Sequence, residues 1–230
     1  MKWEKEKFYD FIVENNVIGF FDEPLKLKSG RISYFYVNWR NVAEDVYLID
    51  KLSDFLISFV NKLGLKPDCF YGVPEGATKL GIITQYKWAK IQKNYEYGIY
   101  PLSMGRAKPK NHGDPKDRFF LGIPKGNIVV LEDTTTTGSS LIETINKLLD
   151  INIKIIAAIG LTNRNEIRDD NKSVEGFIKD KDLKYYAMSN AIELLPRVYE
   201  LLKPGEKIAR HIEDYFKKYG IEKIKLLKNK

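Results

Sequence analysis

The stretch Ile128-Val129-Val130-Leu131-Glu132-Asp133-Thr134-Thr135-Thr136-Thr137-Gly138-Ser139-Ser140 constrains this chain more than any other. An unbroken apolar run is the pattern of a strand buried on both faces, which parallel sheets produce. Two adjacent acids then fall at the carboxyl end of that strand, where open α/β sheets bind ligands. The Thr/Gly/Ser segment leads into a helix pattern. Its backbone N–H groups and hydroxyls can converge at a helix N-terminus, which suits a phosphate. A carboxylate pair beside a phosphate cradle fits a sugar phosphate, with hydroxyls on the acids and phosphate on the loop. The plainer alternative is a strand, a turn and a Ser/Thr cap. It leaves the tandem acids unexplained, because neighbouring carboxylates repel each other.

The chain has 230 residues and 43% apolar composition, enough for one α/β domain spanning 1–230 with a sizeable core. No stretch approaches a transmembrane span, and residues 1–7 lack a signal-type apolar segment. The single cysteine, Cys69, excludes an internal disulfide framework and a CxxC metal site; beside Phe70 and Tyr71 it reads as a core thiol. The expected location is the cytoplasm. A formal charge of +7 attracts anions, and much of the excess lies in the tail from Lys217 to Lys230. No nucleic-acid-binding motif accompanies it, so a polyanionic small substrate is the expected partner and nucleic acid is not.

Strand and helix patterns alternate along the chain, which predicts a largely parallel central sheet flanked by helices. Helices are expected over 5–17, 45–63, 76–90, 139–149 and 206–218, and buried strands over 68–73, 128–132 and 153–161. Residues 25–37 alternate around Ser29-Gly30 as a small hairpin. Residues 104–121 carry no hydrophobic period, and a loop that long in a compact domain is commonly functional. Trp3, Trp39 and Trp88 read as packing residues, and His211 as a surface residue.

Four further segments carry chemistry. Arg106-Ala107-Lys108-Pro109-Lys110-Asn111-His112-Gly113 is a basic loop, otherwise readable as a solvated charge run. Leu27-Lys28-Ser29-Gly30-Arg31-Ile32-Ser33-Tyr34-Phe35-Tyr36 reads on its own as an amphipathic hairpin with a surface lysine. Gly72-Val73-Pro74-Glu75-Gly76-Ala77-Thr78-Lys79-Leu80 serves as a strand-to-helix turn, and its glycines would also let phosphates approach the backbone. It lacks the Gly-Lys-Ser/Thr ending of a Walker loop. Leu161-Thr162-Asn163-Arg164-Asn165-Glu166 places an arginine after a strand, either paired with Glu166 or offering its fork to a carboxylate.

Taken in order, these segments resemble the orotate phosphoribosyltransferases, members of the type I phosphoribosyltransferase family. The Ile128–Ser140 stretch resembles the motif that binds phosphoribosyl pyrophosphate (PRPP). The resemblance implies that Glu132 and Asp133 hold the ribose hydroxyls. Thr134, Thr135, Thr136, Thr137, Gly138, Ser139 and Ser140 would hold the 5′-phosphate. The basic loop is similar to a family loop that meets pyrophosphate. Arg106, Lys110, His112 and Gly113 match it, and Ala107 stands where the family has lysine, so Lys108 is the candidate substitute. Lys110, His112 and Asp133 are the implied catalytic residues. Lys28 would touch both base and PRPP. Tyr36, Val37 and Thr136 would meet orotate, and Arg164 would pair with its carboxylate.

The fold so implied adds a small N-terminal hood, built from 1–40 and part of 160–230. The implied cofactor is Mg²⁺ carried by PRPP, with Glu132 and Asp133 as candidate ligands. The implied assembly is a homodimer whose basic loop enters the neighbouring site. The reaction would convert orotate and PRPP into orotidine 5′-monophosphate and pyrophosphate, a step of pyrimidine (UMP) biosynthesis. Two alternatives are a type I transferase for another nucleobase and a non-catalytic PRPP-binding regulator.

Overall fold

A computed structural model describes residues 2–110, 112 and 118–227. Its frame is a four-stranded parallel sheet in the order β3-β6-β7-β8, formed by Cys69–Gly72, Asn127–Thr135, Lys154–Asn163 and Tyr185–Asn190. Along β6, Ile128 and Val130 pack to one face while Val129 and Leu131 pack to the other. Both faces are therefore covered, which explains the unbroken apolar run. Helices α5 (Ser139–Leu149) and α6 (Val174–Lys179) cover the first face through Leu141, Ile145, Leu148 and Ile178. The second face is covered by α1 (Lys5–Glu14), α3 (Val46–Lys62), α4 (Thr78–Lys90), α7 (Ala191–Leu202) and α8 (Glu206–Tyr219). The expected α/β class and parallel sheet are what the structure shows.

A separate antiparallel hairpin joins β1 (Ile18–Lys26) to β2 (Ile32–Val37) through a turn with Gly30 at φ 82°. Its register shifts between Phe20 and Leu25, so the first strand begins well before the expected residue 25. Phe35 of this hairpin stacks on Phe216 of α8 with ring centroids 5.9 Å apart. Tyr34 stacks on His211 at 4.0 Å, so His211 is half-buried by the hairpin and not a plain surface residue. The carboxy-terminal helix thus backs the hairpin. Asp45 caps α3 by accepting the Leu48 amide at 2.9 Å. The short helix α2 (Arg40–Ala43) links the hairpin to α3.

The basic segment is more ordered at its base than the sequence suggested. Strands β4 (Met104–Gly105) and β5 (Phe120–Leu121) pair there. Backbone bonds from Arg106 to Phe119 and from Lys110 to Arg118, both 2.9 Å, extend the pairing. Strands of two residues are too short to show alternation.

Candidate active site

The site forms at the carboxyl ends of β3, β6 and β7, beneath the hairpin. Strand β6 does not stop at the acids; it runs to Thr135. Strand alternation therefore continues past Glu132 and Asp133. Glu132 is only 6% exposed. Burial raises its proton affinity well above the usual carboxylate range, and the charge of Asp133 raises it further, with Lys28 partly offsetting both. Asp133 accepts the Thr134 amide at 2.7 Å. It packs so tightly on the β3–α4 turn that a Cβ on Gly76 would lie 2.4 Å from its carboxylate oxygen.

Gly138 turns the chain into α5 at φ 70°, in the left-handed region, with no side-chain cap on the helix. The first amides of α5 therefore point outward as donors for an anion. Thr137 and Ser139 hydroxyls hydrogen-bond each other at 2.9 Å. Arg168, stacked over Phe177, donates to the Thr137 carbonyl and holds the loop from behind. From the hairpin turn, Lys28 Nζ donates to Ser140 Oγ at 2.8 Å. An ammonium facing the positive end of a helix dipole is unfavourable alone; an anion between them reverses the sign. This is the clearest electrostatic sign of a phosphate position.

A cleft of about 340 Å³ gathers these groups. Lys28, Tyr36, Val37, Glu132, Asp133, Thr134, Thr136, Thr137, Gly138, Ser139, Ser140 and Arg164 all line it. The Thr134 hydroxyl is buried without a hydrogen-bond partner among the described residues. Thr135 departs from the expectation. Its side chain is fully buried and its hydroxyl sits 2.6 Å from that of Tyr185, because the extended strand turns it inward. It therefore offers no side-chain contact to a phosphate.

The basic loop stands apart from this cleft. Arg106 lines a second cleft of about 310 Å³, which shares Lys28, Arg40, Glu75, Gly76 and Ser140 with the first. Lys108, Lys110 and His112 line neither; Lys108 and His112 are exposed. Asn111 and Gly113 lie outside the described residues.

Arg164 is 1% exposed, so the hand it lends the cleft is firmly held. Its Nε donates to Glu166 at 2.7 Å and its Nη2 to Ser33 Oγ at 3.1 Å. The guanidinium carbon lies 3.9 Å from the Phe35 ring centroid. Glu166 also accepts Arg31 Nη1 at 2.7 Å, and Arg31 Nη2 donates to the Ile167 carbonyl at 2.6 Å. Burial alone would lower the proton affinity of Arg31; the Glu166 bond and charge outweigh it. Arg164 thus pairs with Glu166, the first of its two sequence alternatives, and it also lines the cleft. Two buried guanidiniums share one buried carboxylate, and Arg31 also reaches the exposed Asp169 at 3.4 Å. Arg31 was visible within the hairpin motif; Arg40 and Arg168 belong to no motif and came only from the structure.

Among the described residues no group of three or more His, Cys, Asp or Glu side chains converges as a metal cage. Glu132 and Asp133 are oxygen donors suited to Mg²⁺, which commonly takes one or two carboxylates plus substrate phosphates. Cys69 is buried, and burial pushes its thiol up to about 12, so it is not a nucleophile. Trp3, Trp39 and Trp88 are buried packing residues, as expected.

This sheet, the hairpin above it and the acid pair leading into a helix N-terminus define the type I phosphoribosyltransferase fold. An orotate phosphoribosyltransferase structure from Francisella tularensis superposes with a TM-score of 0.66 at 23% identity, covering 93% of this chain and 99% of that one. In sequence, the chain is 27% identical over 223 residues to the orotate phosphoribosyltransferase of Buchnera aphidicola subsp. Acyrthosiphon pisum, covering 96% of this chain and all of the relative. It is 29% identical over 196 residues to that of Aquifex aeolicus, covering 84% and 98%. No family model matches the chain. The resemblance carried by the motifs therefore extends over nearly the whole length.

Proposed function

We propose that this chain is an orotate phosphoribosyltransferase, moving the 5-phosphoribosyl group of PRPP to orotate in pyrimidine (UMP) biosynthesis. The observation that carries the reading is one cleft holding three things together: the Glu132–Asp133 pair, the outward amides of α5, and a wall of Lys28 and Tyr36 from the hairpin with Arg164 from the end of β7. Near full-length similarity to enzymes of that name supports it.

The 5′-phosphate sits on the loop Thr136–Ser140, with Lys28 as counter-charge. Asp133 and Glu132 hold the ribose hydroxyls. Orotate lies against Tyr36 and Val37, its carboxylate drawn by the Arg164 guanidinium at the cleft wall. The C1′–O bond breaks with its electron pair leaving on pyrophosphate, an oxocarbenium-like centre develops at C1′, and orotate N1 bonds to it while the N1 proton passes to solvent. Mg²⁺, when bound, supplies charge neutralisation to the pyrophosphate oxygens. Arg106, Lys108, Lys110 and His112 meet the leaving group, with Lys110 and His112 reaching the site of the other protomer in a homodimer. Closure of that loop keeps water from the ribosyl centre. We place the enzyme in the cytoplasm; no described helix is long and apolar enough to cross a membrane.

The test is loss of orotate absorbance on adding PRPP and Mg²⁺, with orotidine 5′-monophosphate identified as product. No loss with orotate, but turnover of adenine, hypoxanthine or uracil, would reassign the base. Binding of PRPP with no turnover of any base would leave a sensor.

A further inference from the structure

Arg40 belongs to none of the recognised motifs, yet it lines both clefts at their junction. Its backbone is held rigidly. The neighbouring Trp39 is buried and its indole N–H donates to Thr162 Oγ1 on β7 at 3.1 Å. The Arg40 amide donates to Asn38 Oδ1 at 3.2 Å, and Lys79 Nζ donates to the Ala43 carbonyl at 3.0 Å, closing α2. The side chain, in contrast, is exposed, and its guanidinium makes no hydrogen bond or ion pair with any described residue. A long, hydrated side chain on a fixed mount at a cleft junction gains nothing structurally from that position.

The facing turn explains what it could meet. Gly76 and its neighbours can receive phosphate oxygens on the backbone, but this turn carries Glu75, which repels them. The turn's own lysine, Lys79, is engaged with Ala43 and lines neither cleft. Among the other cations of the second cleft, Lys147 is paired with Glu143 at 2.7 Å, Lys28 is bonded to Ser140, and Arg106 stands at the base of the basic loop, its backbone amide bonded to Phe119. Arg40 lines both clefts together with Glu75, and of these cations only it and Lys28 border the two clefts at once.

We propose that Arg40 binds the pyrophosphate group of PRPP and keeps hold of it as it separates from the ribose. This rests on the transferase reading above. The planar fork offers two parallel donors to phosphate oxygens. Because it borders both clefts, it can follow the leaving group from the ribose cleft into the second one while the C1′–O electron pair settles on pyrophosphate.

The test compares wild type, Arg40→Gln and Arg40→Lys. Calorimetry with inorganic pyrophosphate and Mg²⁺ should show affinity about tenfold weaker in Arg40→Gln, the size of one lost charged hydrogen bond. Arg40→Lys should recover part of it. Ribose 5-phosphate affinity, orotate KM and thermal midpoint should be unchanged in both. Wild-type pyrophosphate affinity in Arg40→Gln overturns the assignment while leaving the transferase reading intact. Parallel loss of pyrophosphate and ribose 5-phosphate binding also overturns it, by showing that the residue shapes the cleft as a whole. A wild-type protein that binds neither PRPP nor pyrophosphate overturns both readings.

Discussion

At the residue scale the site depends on a few buried charges whose partners are not adjacent in sequence. Glu166 aims Arg164 at the cleft while Arg31 shares its other oxygen. Glu166→Gln keeps the shape but removes the carboxylate, so Arg164 loses its counter-charge and Arg31 keeps only the exposed Asp169. A loss of about 3 kcal/mol in denaturant unfolding is expected, as for a broken buried pair. Orotate affinity should fall about tenfold while PRPP affinity changes little, since only the base wall is disturbed. Equal losses for both ligands would assign Glu166 to general scaffolding. The sequence exposed Arg164 and Glu166 as neighbours. It could not show Arg31 bonding the same carboxylate from the hairpin, because that contact depends on tertiary packing.

Asp133 gives a second prediction at this scale. Burial and the Asp133 charge raise the proton affinity of Glu132 in the folded state. A carboxyl shifted that way contributes its full stability below the ordinary glutamate range and loses it as pH rises through the raised value. Asp133→Asn removes the repulsion. It should raise stability without ligand by roughly 1 kcal/mol near pH 8 and by little near pH 4, while lowering turnover. Thermal melts at the two pH values decide; a gain that is larger at pH 4 would mean the acids are not coupled as described.

Elements were more legible than contacts. The buried strands and α3, α4, α5 and α8 follow from long apolar periods and agree with the structure to within a few residues. Strand β8 was not read, because Tyr185–Asn190 is short and mixed in polarity. The end of β6 was misplaced because Thr suits a strand as well as a loop. That misplacement is why Thr135 read as a phosphate ligand when its hydroxyl faces Tyr185. The turn after β6 is the element most open to test. Gly138 has φ 70°, and a Cβ there would meet Val174 Cγ1 at 2.9 Å. Gly138→Ala should cost about 1–2 kcal/mol and weaken ribose 5-phosphate binding, because the loop must shift away from α6 and take the α5 amides with it. Unchanged binding would separate the anion cradle from this turn.

At the scale of the whole molecule, what matters is where the basic loop meets substrate. Its base is paired through β4 and β5, and Arg106 borders the second cleft, yet Lys108, Lys110 and His112 line neither cleft of their own chain. Lys108, Lys110 and His112 standing outside both clefts of their own chain suit a two-fold dimer in which each protomer completes the other's site. Lys110→Ala and Asp133→Asn should each be nearly inactive alone, one lacking the leaving-group cation and the other the ribose ligand. Mixed and allowed to exchange, half the dimers would be hybrids. Each hybrid would hold one site with both groups intact and one with neither, so activity should return to about a quarter of wild type at most. Recovery should track hybrid formation measured by native mass spectrometry. Hybrids formed in full without recovered activity would show that each chain uses its own loop, which would then have to swing back over its own cleft to act.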